Sequence, residues 1–217
     1  YYNIRFTEGD QVELTATQRT GFFRYTPVEG KYMISIKDAG DITPDGKDII
    51  YTSRYNSILH FSHPWESFEQ KGDKIHLLFS ATGKTEPLLI KMSVSQVSRE
   101  GSQKNMEAEN PGWEFEKTRQ ATYSLWNQEL SVIDIHDAST DEKKMFYTAL
   151  YHSFLLPWVI SDVDGTYSGA DKKKHQSVGK ATYGAFSTWD TFRTLHPLLT
   201  LLKSHIQQDM LHSLADY

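Results

Sequence analysis

The chain has 217 residues, 38% of them hydrophobic and 13% aromatic, and a formal net charge of -5. That hydrophobic share suffices for a core, and the length allows one large domain or two small ones. The negative balance, with no basic run longer than Lys172-Lys173-Lys174, removes the electrostatic footprint of a nucleic-acid binder. Without cysteine there are no disulfides, thiolate metal sites or thiol nucleophiles. No run approaches the roughly 18 apolar residues of a membrane-spanning helix.

The opening residues, Tyr1-Tyr2-Asn3-Ile4-Arg5-Phe6, suit a strand and lack the basic and apolar regions of a signal peptide. From residue 1 to about 98, short alternating runs such as Val12-Leu14-Ala16, Tyr32-Ile34-Ile36 and Leu88-Ile90-Met92-Val94 keep their apolar residues on one phase. Separated by Glu29-Gly30, Thr43-Pro44-Asp45-Gly46 and Lys71-Gly72-Asp73, which adopt turns at little cost, they predict an antiparallel β-sandwich. From Pro111 the period lengthens. Phe115, Thr118, Thr122, Leu125, Trp126 and Leu130 share one side of a predicted helix. Ser139-Thr140-Asp141-Glu142 has the S-x-x-E form of a capping box. It opens a helix with an expected buried stripe of Met145, Phe146, Ala149, Leu150, Ser153 and Phe154, ended by Pro157.

Residues 158 to 186 form a long polar loop, and Tyr167, Tyr183 and Phe186 favour an ordered one. Within it, Asp162-Val163-Asp164-Gly165 reads as an Asp-Gly turn, because an EF-hand needs Gly at position six and Glu at position twelve. Ser187 is placed to cap the next helix, which Pro197 should bend or interrupt near Thr194. The last segment, from about Ser204 through Ile206, Met210, Leu211 and Leu214, is amphipathic and has no stop signal before Tyr217, so the chain reads as a piece of a longer protein.

No G-x-S-x-G elbow, P-loop or H-E-x-x-H motif occurs, and the nine histidines are scattered. The densest group of polar and aromatic residues is Tyr183 to His196, with Trp189 beside Asp190. An aromatic face covers the C–H side of a pyranose, and a carboxylate accepts charge-assisted bonds from its hydroxyls. On spacing alone, a buried Trp beside a helix-capping Asp is the commoner reading of that pair. Glycoside hydrolysis needs two carboxylates across the scissile bond, a pair that the residues themselves leave unassigned.

Three blocks resemble the α-mannosidases of glycoside hydrolase family 92: Ser93 to Glu109, Phe146-Tyr147-Thr148-Ala149-Leu150-Tyr151-His152-Ser153 through Ser161 to Tyr167, and Phe186 to Leu199 with its W-D-T-F-R and H-P-L-L runs. Glu13 to Phe22 with Arg24-Tyr25 is similar to a sandwich strand pair of the same family. The resemblance implies an α+β multidomain arrangement: a β-sandwich over 1–110, a helical linker over 111–137 and the first helices of an (α/α)6 barrel over 138–217. It also implies a calcium-dependent, inverting exo-α-mannosidase acting on α-mannose-containing glycans in a secreted, periplasmic or cell-surface bacterial setting. Trp189 and Asp190 are then expected to bind mannose, while Arg193 and His196 hold a barrel helix. The catalytic acid, base and most calcium ligands are expected outside this segment. The alternative is a carbohydrate-binding module whose sandwich stacks sugars on Trp65 or Tyr55.

Overall fold

The computed structural model describes residues 1–28, 30–37, 40–72, 74–81, 86–177 and 179–216. The expected turn residues Glu29 and Asp73, and Tyr217, lie outside them. The chain forms two compact units, Tyr1–Thr122 and Tyr123–Tyr217.

The first unit carries ten strands: β1 (Tyr2–Arg5), β2 (Gln11–Ala16), β3 (Thr20–Thr26), β4 (Gly30–Lys37), β5 (Ile42–Asp45), β6 (Ile49–Thr52), β7 (Ile58–Phe61), β8 (Ser67–Lys71), β9 (Lys74–Ala81) and β10 (Leu88–Ser93). They make a seven-stranded sheet in the order β1-β2-β3-β10-β7-β6-β5 and a three-stranded sheet in the order β4-β9-β8. The pairs are antiparallel. Ile50, Leu59, Phe61 and Leu88 of the larger sheet bury against Ile75, Leu77 and Phe79 of the smaller, which makes the expected sandwich. Ile90, Met92, Tyr32, Ile34 and Ile36 pack around that core on the expected phase.

Two local expectations are corrected. In β2 the buried residues are Glu13 and Thr15, whereas Val12 and Leu14 are half-buried and Ala16 is exposed. The larger sheet is covered on both faces there, and Arg24 of β3 holds Glu13 through two hydrogen bonds. Thr43, Pro44 and Asp45 belong to β5 rather than to a turn. β5 is the last strand of its sheet, where a proline removes no needed ladder donor.

α1 (Arg99–Glu109) and α2 (Phe115–Leu130) follow. Ser98 caps α1 by accepting from the Gly101 N–H. The buried side of α1 is polar: Ser102 Oγ donates to Asn56 O at 2.6 Å and Asn105 Nδ2 to Val94 O at 2.9 Å. The segment between the helices is held by buried Lys91 of β10, whose Nζ donates to Asn110 O (3.1 Å) and Pro111 O (3.3 Å) and lies 4.3 Å from the Trp113 ring centroid. Phe115 meets Phe22 edge-on at 5.3 Å. Along α2, Thr118, Thr122, Trp126 and Leu130 are half-buried as expected, and Leu125 is exposed.

The second unit contains α3 (Thr140–Ser153), β11 (Trp158–Val159), β12 (Thr166–Ser168), β13 (Lys174–Gln176), β14 (Tyr183–Gly184), α4 (Thr188–Thr191), α5 (Leu195–Leu202) and α6 (Ser204–Ala215). α3 begins with the complete Ser139/Glu142 capping box and stops at Ser153, short of Pro157. Its stripe is covered only at Leu150, with Phe146, Ser153 and Phe154 half-buried and Met145 and Ala149 exposed. α6 buries Gln207, Met210 and Ser213, while Leu211 and Leu214 are exposed. Its face is turned toward two polar residues because these supply hydrogen bonds to His196 and Tyr183. No helix among the described residues is long and apolar enough to cross a membrane.

Candidate functional site

The loop expected over 158–186 is ordered by two small antiparallel ribbons. β11 pairs with β14, and β12 pairs with β13. The Asp-Gly turn closes the second: Gly165 N donates to Asp162 O at 2.9 Å, Thr166 N donates to Asp164 Oδ1 at 3.0 Å, and Gly165 takes a φ of 83° that favours glycine.

The first ribbon positions the Trp-Asp pair. Ser213 Oγ of α6 accepts from Tyr183 N at 2.9 Å, and Gly184 lies so close to Ile160 that a Cβ would come within 2.7 Å of Cγ2. Ala185 then adopts a φ of 59°. For a residue with a Cβ this left-handed conformation costs about 1–2 kcal/mol. It turns the chain out of the ribbon, through Phe186 and Ser187, into the single turn of α4.

Trp189 sits on that turn 84% exposed, and Phe192 just beyond is 53% exposed. A Trp in the core is therefore not what this segment builds. Ser187 does not cap α4 through its side chain, contrary to expectation. Its Oγ instead donates to Asp190 Oδ2 at 2.5 Å, while its carbonyl oxygen accepts from Asp190 N (2.9 Å) and Thr191 Oγ1 (3.0 Å). The reason is backbone geometry. Ser187 has a φ of -125° and a ψ of 65°, outside the extended range of a capping serine. Oδ1 of Asp190 has no hydrogen-bond partner or cation among the described residues. The unit thus presents, on consecutive residues, an exposed aromatic ring and an exposed carboxylate with one committed and one open oxygen.

The helical path breaks between Thr191 and Leu195, and Pro197 falls in the first turn of α5, where a missing N–H leaves no ladder bond unmade. His196 Nδ1 and Gln207 Oε1, 3.1 Å apart, tie α5 to α6, and His196 Nε2 is buried without a partner among the described residues. Arg193 is exposed, with its guanidinium 5.2 Å from the Phe192 ring centroid. An open groove along α3, lined by Thr140, Lys143, Tyr147, Tyr151 and His152, involves neither Trp189 nor Asp190.

Two residues considered for sugar stacking on the sandwich behave differently from each other. Trp65 is 4% exposed and packs against Phe61 and Phe68 in the core, so it cannot act as a platform. Tyr55 is exposed, with the Arg54 guanidinium 5.7 Å from its ring centroid. Among the described residues no three His, Asp or Glu side chains converge to hold a metal ion.

The family model "Glycosyl hydrolase family 92 catalytic domain" matches residues 101–217. No curated protein matches the chain. Among solved structures, a family GH92 α-mannosidase from Bacteroides thetaiotaomicron superposes with a TM-score of 0.86 at 24% identity, over 96% of this chain and 33% of its own. The same enzyme in complex with mannoimidazole gives 0.84 at 24% identity, over 94% and 32%. A family GH92 inverting mannosidase from the same organism gives 0.79 at 22% identity, over 98% and 33%. The fold is shared with these structures, of whose length the chain spans about a third.

Proposed function

Because the chain belongs to glycosyl hydrolase family 92, we propose that it forms part of a calcium-dependent, inverting exo-α-mannosidase, inert as an isolated segment, whose intact form removes terminal α-mannose from glycans. In this reading residues 1–110 are the later part of a sandwich, 111–137 a helical linker and 138–217 the start of an (α/α)6 barrel. The apolar side chains left exposed on α3, α5 and α6, among them Met145, Leu201 and Leu211, support the barrel assignment, since barrel helices bury such faces against neighbouring helices.

The observation that carries the proposal is the exposure of the Trp189 ring, 84%, on the residue before Asp190, whose carboxylate is exposed with Oδ1 open. The ring would cover the apolar side of a mannose, and the carboxylate would accept from its hydroxyls, discriminating by their orientation. Asp190 is exposed, so its open oxygen is solvated until a sugar hydroxyl replaces the water. An inverting enzyme places its acid and base about 6.5–9.5 Å apart, with a water between base and sugar. We assign neither carboxylate to this chain. The described residues offer no cluster of three carboxylate or histidine side chains, so they do not fit a calcium site by themselves.

The test is Asp190→Ala in the intact enzyme. It lowers kcat/KM at least about tenfold, which corresponds to roughly 1.4 kcal/mol of transition-state stabilisation. Unchanged kcat/KM returns Asp190 to a role in the helix turn alone.

A further inference from the structure

The two carboxylate oxygens of Asp190 differ in what they face. Oδ2 accepts from Ser187 Oγ at 2.5 Å, whereas Oδ1 meets no donor among the described residues. Ser187 is itself fixed. Its carbonyl oxygen accepts from Asp190 N and Thr191 N of α4 at 2.9 and 3.1 Å and from Thr191 Oγ1 at 3.0 Å. On its other side the chain is anchored by the β11–β14 ribbon, the Ser213–Tyr183 hydrogen bond and the left-handed Ala185. Backbone strain of this sort persists only where the surroundings enforce it, and it gathers at binding and catalytic sites. An aspartate on a turn as short as α4 would otherwise sample its rotamers freely, and each sugar contact would have to order it first.

We infer that Ser187 is a positioning residue: its hydroxyl clamps Oδ2 of Asp190 and leaves Oδ1 aimed outward as the acceptor for a mannose hydroxyl. This rests on Asp190 contacting substrate, as proposed above. The clamp also narrows recognition. With one oxygen engaged, Asp190 accepts strongly at a single oxygen rather than equally at two, so the site selects a hydroxyl whose position matches Oδ1.

A double-mutant cycle on the intact enzyme, with α-linked mannobiose as substrate, tests the clamp. Ser187→Ala should lower kcat/KM about fivefold, with the larger part of the change in KM if ordering of the bound sugar is what is lost. Ser187→Thr, which keeps a hydroxyl at the same position, should recover most of it. In an Asp190→Ala background, Ser187→Ala should have no further effect, because the group it acts through is gone. Thermal midpoints of all variants separate this from a folding defect, which threonine and alanine would not divide in this way. Wild-type kcat/KM for Ser187→Ala, or the same loss with and without Asp190, overturns the clamp while leaving the substrate role of Asp190 standing. Wild-type kcat/KM for Asp190→Ala alone overturns both.

Discussion

Glu13 in β2 is 6% exposed, and both of its oxygens accept from Arg24 of β3, at 2.5 and 2.7 Å; Tyr1 Oη adds a third donor. The Arg24 guanidinium lies 4.4 Å from the ring centroid of Phe115, so this pair sits under the start of α2. Hydrogen bonding to Arg24 holds the Glu13 carboxyl below its ordinary value of 4.5, against the opposing effect of burial. With a folded value below the unfolded one, the contribution to stability is present above pH about 4.5 and is lost as pH falls through the lowered value. Glu13→Gln should therefore destabilise the chain by about 1–3 kcal/mol at neutral pH, and by less as pH drops below the ordinary value. Denaturant midpoints at pH 7 and pH 4 read this directly; an equal loss at both pH values would show that the charge on Glu13 is not what stabilises the pair.

At the scale of elements, two similar sequences give two different structures. Ser139-Thr140-Asp141-Glu142 and Ser187-Thr188-Trp189-Asp190 both place an acid three residues after a serine. At the first, Ser139 has extended backbone (φ -63°, ψ 162°), its hydroxyl accepts from Glu142 N, and Glu142 reaches back to Ser139 N at 2.8 Å. At the second, the shorter acid and a different serine backbone leave the two side chains bonded to each other. Ser139→Ala should accordingly cost about 1 kcal/mol, seen as a lower thermal midpoint. An unchanged midpoint would mean the first turn of α3 frays without consequence.

This contrast marks how far the elements were legible. The period-two runs of β4 and β10 and the three-and-four spacing of α2 follow directly from burial of one apolar face, and the structure has them. α1 carries no such signal, because its buried residues are Gly101, Ser102, Asn105 and Met106, three of them small or polar, and Ser102 and Asn105 donate to backbone carbonyls outside the helix. β2 misleads for a related reason: a sheet covered on both faces can bury an ion pair on the side where alternation predicts solvent. In α6 the apolar Leu211 and Leu214 are exposed while Gln207 and Ser213 are buried and hydrogen-bonded to His196 and Tyr183, so the apolar pattern alone does not mark the face that packs within this unit. The Trp189-Asp190 pair was visible as chemistry, but the clamp by Ser187 was not, because its spacing is also that of a cap.

At the scale of the whole molecule, a sandwich unit and a helical unit occur in one chain, and their fold is that of about a third of the length of solved family 92 structures. The family model covers 101–217, from the third residue of α1 through the rest of the first unit and all of the second. In the proposed function, this segment contributes a mannose-binding surface to an enzyme whose acid, base and calcium site lie in other segments. Mannose release from α-linked mannobiose decides this, assayed for the 217-residue chain and for the full product of its gene, each with and without a calcium chelator. Release is expected from the full product alone and is abolished by the chelator; release by the 217-residue chain, or by neither protein, rules the proposed function out.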